Sequence, residues 1–199
     1  MKNLVLIGGG GHCLSCIDVI ENLKTFKIIG VVDNKVNKLI NYPFFLDDKN
    51  IDSIRKSTNY AFVTVGQIKD PNKRIQIFSE LKKLKFKIPI IISKTSYLSK
   101  KVKIDEGTII LNYASINAYS EIGCNCIINT GAIIEHESTI GNNCHISTGA
   151  ILNGNVNIGD NSFIGSNTVI KEGVKIGKNC IIGAGLFLKK NVKDFEIVK

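Results

Sequence analysis

The chain of 199 residues is short of several things. No apolar run is long enough to cross a bilayer, and the apolar start, Leu4 to Ile7, is far too brief for a secretory leader. With six cysteines and no sign of export, the reading is a reducing cytosolic compartment, with free thiols rather than a disulfide framework. Cys13-Leu-Ser-Cys16 has the spacing of half a zinc site, but no second pair stands nearby to complete it. Two small residues at the start of a buried helix explain it better. Basic runs are absent too: the lysines are spread evenly, so the net charge of +9 reads as a solvated surface or as a preference for a polyanionic partner. Histidine is scarce, with only His12, His136 and His145.

What is abundant is periodicity. From Leu98 to Leu188 an aliphatic residue returns at every sixth position, through Ile104, Ile110, Ile116 and their successors, without one failure. Four residues after each comes a small or branched one, as at Val102, Ala114, Cys126 and Ser138, with Gly, Asn, Asp, Lys and Glu between. Neither a helix of period 3.6 nor a strand of period 2 gives a six-residue repeat with two inward positions. A parallel β-helix does, since each hexapeptide is one flat side plus one corner. Three sides close a coil of 18 residues, so the stretch from 98 to 188 makes five coils stacked at about 4.8 Å. Cys126, Cys144 and Cys180, with Ser162 in the gap, then fall in one interior column.

The first half reads differently, and 44% hydrophobic content over this length suits two modest domains. Residues 3–7 form a buried strand, Gly8 to Gly11 a turn, and Leu14, Ile17, Val19, Ile20 and Leu23 the apolar face of a helix. Strand, glycine turn and helix open a Rossmann-like nucleotide-binding βαβ unit, whose helix N-terminus faces an anion or sugar. A second strand, Lys27 to Val32, ends at Asp33, where an acceptor for ribose or base belongs. Cys13 stands where the dinucleotide fingerprint has its third glycine, so NAD is not the expected ligand. Residues 34–60 carry no pattern beyond a turn at Asn41-Tyr42-Pro43. A third strand, Ala61 to Val65, runs into Gly66; a helix follows from Pro71 to about Leu84, then a fourth strand, Ile88 to Ile92. The expected domains are 1–92 and 98–190, with a tail at 191–199.

Two places break the routine of small polar residues on the solenoid. One is Glu135-His136-Glu137, an outward histidine flanked by carboxylates, and the other is His145. Nine residues apart, half a coil, they sit at similar height on different sides of one prism. They can share a site only across a subunit boundary, which predicts an oligomer, most naturally threefold. A zinc site of three histidines is short of ligands here.

The motifs Ile7-Gly-Gly-Gly-Gly-His12, Val32-Asp33-Asn34, Val65-Gly66, Asn129-Thr-Gly-Ala-Ile-Ile-Glu-His-Glu137 and Cys144-His-Ile-Ser-Thr-Gly-Ala150 together resemble the sugar O-acyltransferase family of left-handed β-helix acyltransferases. That group contains sialic acid O-acetyltransferases and the bacillosamine-type N-acetyltransferases of nucleotide-linked 4-amino sugars. The resemblance implies an α/β Rossmann-like domain followed by an all-β left-handed parallel β-helix, a hand the crossover rule alone would not select. It implies a homotrimer that binds acetyl-CoA between neighbouring solenoids and needs no metal, nucleic acid or membrane. His136 is implied to be the general base and Glu137 to raise its basicity, in keeping with a carboxylate favouring imidazolium. His145, Ser166 and Ala184 are implied coenzyme contacts, and the Gly154 N–H is a candidate oxyanion donor. Gly10, Gly11, His12, Asp33, Asn34 and Gly66 match sugar-nucleotide positions. Relatives often carry a second Asp where Asn34 stands, so UDP- and GDP-linked sugars both stay open, and they usually close on a Gly-x-Pro-Ala-Lys-like tail that this chain lacks.

The implied activity is acetyl-CoA-dependent N-acetylation of the 4-amino group of a nucleotide-linked amino-deoxy sugar for bacterial glycan synthesis. O-acetylation of sialic-acid-like sugars uses the same base, and a non-catalytic nucleotide-sugar scaffold is the reading from another class.

Overall fold

A computed structural model describes residues 1–46 and 54–199. The N-terminal unit is a parallel sheet of four strands: β1 (Lys2–Ile7), β2 (Phe26–Val32), β3 (Phe44–Phe45) and β4 (Tyr60–Val63), in the order β3-β2-β1-β4. Leu4, Val5 and Leu6 of the inner strand β1 are fully buried, which is why they run without a polar break. Helix α1 (Gly11–Leu23) follows β1 and helix α2 (Asn72–Lys83) follows β4. Strand order reverses at β1, so the crevice beyond the C-terminal ends of β1 and β4 is a switch point where α/β sheets hold ligands. Gly8 leaves β1 with φ +109°, and a Cβ there would lie 2.5 Å from the Val65 side chain; only glycine makes this turn.

The solenoid has three parallel walls of seven, six and five two-residue strands. Partners lie 18 residues apart, as Ile127 lies between Ile109 and His145. In each strand one residue points in and one out. Inward Ile110, Ile116, Ile122, Ile128, Ile134 and Ile140 are at most 2% exposed. The cysteine column is present: the Cys144 N–H lies 3.4 Å from Cys126 Sγ, and the Cys180 N–H donates to Ser162 Oγ at 3.0 Å. One corner column is a ladder of left-handed asparagines, Asn125, Asn143, Asn161 and Asn179, joined amide to amide at 2.9–3.1 Å.

Outward faces differ. The first wall starts with Ile91, Ile109 and Ile127, which the N-terminal unit covers. The second carries half-buried Ile133, Ile151 and Val169 between exposed Tyr97 and Phe187. Lys103, Glu121, Thr139, Asn157 and Lys175 make the third polar.

The structure differs from the sequence reading in four places. Ile91–Ile92, read as part of a fourth N-terminal strand, pair with Ile109–Ile110 as a solenoid rung, and the N-terminal sheet takes only a bridge from Lys87 to Tyr60. An apolar run of this length serves either sheet equally well. Ile197–Val198, in the expected tail, pair with Ile181–Ile182, so the solenoid reaches about six coils rather than five. This last coil is two residues short, which hides it from a hexapeptide count. β4 stops at Val63 where the following carbonyls turn to Arg74, and β3 arises within the stretch 34–60, of which 47–53 lie outside the described residues.

Candidate active site

His136 and Glu137 form a corner between the second and third walls. Glu137 has φ +59°, a left-handed conformation that the same corner gives to Tyr119 in the preceding coil and to Asn155 and Gly173 in later ones. Asparagine and glycine accept that backbone readily, whereas glutamate does so at a cost; such outliers gather at functional sites. The carboxylate Oε2 lies 3.0 Å from His136 Nδ1, so Nδ1–H donates to it and the Nε2 lone pair is left outward on a ring that is 60% exposed. The ring rests on the next coil, where a Cβ on Gly154 would come within 2.7 Å of its Cε1 and Nε2. Among the described residues the Gly154 N–H meets no backbone acceptor.

His145 points out of the first wall, but the loop after β4 lies over it and only 7% of the residue is exposed. Its Nδ1–H donates to the Gln67 carbonyl, its Nε2 lies 3.1 Å from Asn129 Nδ2, and Phe163 packs edge-on at 5.2 Å between centroids. Burial lowers its pKa to about 4, so it is neutral at pH 7. Ser166 and Ala184 lie on the corner between the first and second walls, Ser166 Oγ meeting Ser147 Oγ at 2.9 Å. The residues expected around the coenzyme therefore fall into two groups, Ser166 and Ala184 on one edge of the second wall with His145 on the first wall beside it, and His136 with Gly154 on the other edge. One chain alone does not bring them together.

At the switch point a cavity of about 490 Å³ is lined by Gly10, Gly11, His12, Asp33, Gly66 and Lys73 among others. It shares Gly8, Asp33, Val65 and Lys73 with a second cavity of about 190 Å³ that reaches Asn34 and α2. A Cβ on Gly10 or Gly11 would meet nothing within 4 Å, so packing does not require these glycines; they keep the α1 N-terminus bare toward the cavity. Asp33 pins the glycine turn, accepting from the Gly9 N–H at 2.6 Å and the Lys35 N–H at 3.3 Å. His12 touches Cys16 Sγ through Nε2 at 3.4 Å, and burial first, then Arg74 and His145, lower its pKa to about 3. Cys13 and Cys16 are fully buried, and burial raises the Cys13 thiol to about 11.

Four residues of the site were not anticipated. Arg74, fully buried, donates to the carbonyls of Val63, Val65 and Asn125 at 2.8–3.2 Å and so ties α2 to the solenoid. Gln67 holds His145 and donates its amide to the Asn143 carbonyl at 2.9 Å. Lys73 borders both cavities. Asn129 lies inside a motif already noted, at a position where the repeat commonly has a polar residue or glycine, so nothing local marks it. Among the described residues no three His, Cys, Asp or Glu converge on a metal position, and no helix is long and apolar enough to cross a membrane.

An α/β unit with an open glycine turn, joined to a hexapeptide solenoid bearing a corner histidine, defines the chain as a transferase of the hexapeptide-repeat class. Residues 3–81 match the PglD N-terminal domain, 119–154 the bacterial transferase hexapeptide of six repeats, and 155–190 the hexapeptide repeat of succinyl-transferase. The chain thus resembles sugar acetyltransferases that join a PglD-type N-terminal domain to a hexapeptide-repeat solenoid. It is similar to the acetyltransferase domain of PglB from Neisseria gonorrhoeae, solved with acetyl coenzyme A, at 26% identity and TM-score 0.91 over 98% of this chain and 95% of that one. It is also similar to a histidine-to-asparagine mutant of perosamine N-acetyltransferase from Caulobacter crescentus, solved with CoA and GDP-perosamine, at 27% identity and TM-score 0.93 over 99% and 93%. WeeI from Acinetobacter baumannii shares the fold at 22% identity, TM-score 0.87, over 100% and 97%. No curated protein matches the sequence.

Proposed function

We propose that the protein transfers an acetyl group from acetyl-CoA to the 4-amino group of a nucleotide-linked amino-deoxy sugar. The observation that carries the assignment is the contrast among its three imidazoles. His145 is buried with both ring nitrogens engaged and His12 is half-buried with its Nε2 against Cys16 Sγ, each with a depressed pKa, whereas His136 presents an unoccupied Nε2 to solvent and has a carboxylate behind Nδ1. His136 is the general base and Glu137 its positioning partner. As the sugar amine attacks the thioester carbonyl carbon, Nε2 of His136 takes the amine proton. The oxyanion that forms is met by the Gly154 N–H; the C–S bond then breaks and CoA leaves as its thiol once the imidazolium returns the proton. The similarity to enzymes solved with CoA and GDP-perosamine supports this reading.

The working unit is a homotrimer. Half-buried Ile133, Ile151 and Val169 run down the second wall uncovered among the described residues, and the two groups of expected coenzyme residues flank that wall. Seating it against a different face of a neighbour is a head-to-tail contact, which closes into a ring of three when the rotation between copies is a third of a turn. On this reading His136 of one chain faces the neighbour's coenzyme contacts at His145, Ser166 and Ala184. The nucleotide sugar lies along Gly10, Gly11, His12, Asp33, Asn34 and Gly66. We assign the reaction to the cytoplasm, a reading that the six unpaired cysteines support.

The test is incubation with acetyl-CoA and nucleotide-linked 4-amino sugars, read by mass spectrometry. The product gains one acetyl group on nitrogen, and His136→Asn abolishes most of the gain. An unmodified sugar across UDP- and GDP-linked acceptors would overturn the assignment.

A further inference from the structure

The smaller arm of the switch-point cleft has the chemistry to choose a nucleobase. Lys73, Gln76, Ile77 and Glu80 follow one another at spacings of three or four or lie adjacent on α2, so they share one helical face, and that face lines the 190 Å³ cavity. Ile7, Val32 and Val65 give the cavity an apolar surface on which a flat ring can lie, while Asp33, whose oxygens already accept from the Gly9 and Lys35 N–H groups, Asn34, Gln76 and Glu80 supply its polar groups. Lys73 is the only cation lining either arm among the described residues, and it stands where the two meet. A diphosphate held by Lys73 and the bare α1 N-terminus then directs the sugar into the larger arm and the base into the smaller one. Glu80 makes no ion pair among the described residues.

We propose that this arm reads guanine, with Glu80 as its specificity residue, so that the substrate is a GDP-linked sugar; the proposal rests on the cleft being the nucleotide site. An ionised carboxylate only accepts hydrogen bonds. Of the four common bases, guanine alone offers two neighbouring donors, N1–H and the 2-amino group, which match two carboxylate oxygens. Its O6 accepts from an amide such as that of Gln76 or Asn34. Uracil offers one N–H between two carbonyl oxygens that a carboxylate repels. Adenine and cytosine each place an acceptor beside their amino donor.

Calorimetric titration of the full chain with GDP, IDP and UDP at one salt concentration tests this, with a CoA titration to report intact folding. GDP should bind tightest. IDP, which lacks only the 2-amino group, should bind about 10-fold more weakly, and UDP about 10- to 100-fold, the range expected for hydrogen bonds to a charged group. Glu80→Gln should narrow the gap between GDP and UDP by about 10-fold and leave CoA binding unchanged. UDP binding as tightly as GDP, or a ratio that Glu80→Gln does not move, would overturn the base assignment while the nucleotide site stands. Failure of all three nucleotides to bind, with CoA still bound, would remove both.

Discussion

Gly154→Ala probes the catalytic corner without touching its chemistry. The position is one coil beyond His136, and a Cβ there would lie 2.7 Å from ring atoms Cε1 and Nε2, against an ordinary contact of at least 3.4 Å. Gly154 does not use a left-handed backbone, so alanine is conformationally free to occupy it, and the N–H proposed to meet the oxyanion remains. The His136 ring must therefore retreat by about 0.7 Å, and a general base displaced on the scale of 1 Å loses roughly 10²-fold in rate. We expect kcat to fall about 10- to 100-fold, KM for both substrates to stay within about twofold, and the melting temperature to move by less than about 3 °C. Steady-state kinetics beside a thermal melt reads all three. Wild-type turnover in Gly154→Ala would show that Nε2 need not occupy this place, and the base assignment would fall with it.

Other outcomes follow from the same geometry. His136→Ala should lower kcat by about 10²- to 10⁴-fold while CoA affinity, read by calorimetry, is kept. Glu137→Asn removes an unfavourable residue from a left-handed corner and should raise stability by about 0.5–1 kcal/mol in urea melts while lowering kcat; loss of both stability and activity would contradict the strain argument. Arg74→Met leaves three carbonyls without their donor and should cost at least about 1–3 kcal/mol of unfolding free energy, the range for one buried polar group left unsatisfied. The pKa values of His12 and His145 are depressed in the folded state, so the unfolded chain binds more protons below the ordinary value of 6.5. Stability should therefore be greatest above pH 6.5 and fall as pH drops toward about 4, with uptake of about two protons on unfolding near pH 5. A stability curve flat between pH 7 and pH 4.5 would refute that.

The parts legible in the sequence were those that repeat. An inward isoleucine every sixth residue states the wall, the corner and the 18-residue register at once, and the cysteine column follows by counting. His136 and Glu137 stood out because a histidine flanked by carboxylates breaks the routine of small polar residues on the repeat. Contacts between distant segments left no such trace. Gln67 covers His145 from 78 residues away, so an outward position on the repeat became a buried one. Arg74 carries no signal in the sequence because its partners are backbone carbonyls, which any sequence possesses. The last coil was lost to a two-residue deletion that keeps the strand pairing and breaks only the count.

The central claim is that each active site joins the His136 corner of one subunit to the nucleotide cleft of another, and mixed oligomers test it most directly. Gly10→Leu fills open cleft space without a packing clash at its Cβ and should abolish nucleotide binding, while His136→Ala abolishes the base; each alone should be inactive. Unfolded together in equal amounts and reassembled, random trimers restore about one site in four, since each requires an intact corner from one variant beside an intact cleft from the other. Recovery of about a quarter of wild-type acetyl transfer is the predicted result, and a mixture as inactive as its parents would contradict the account.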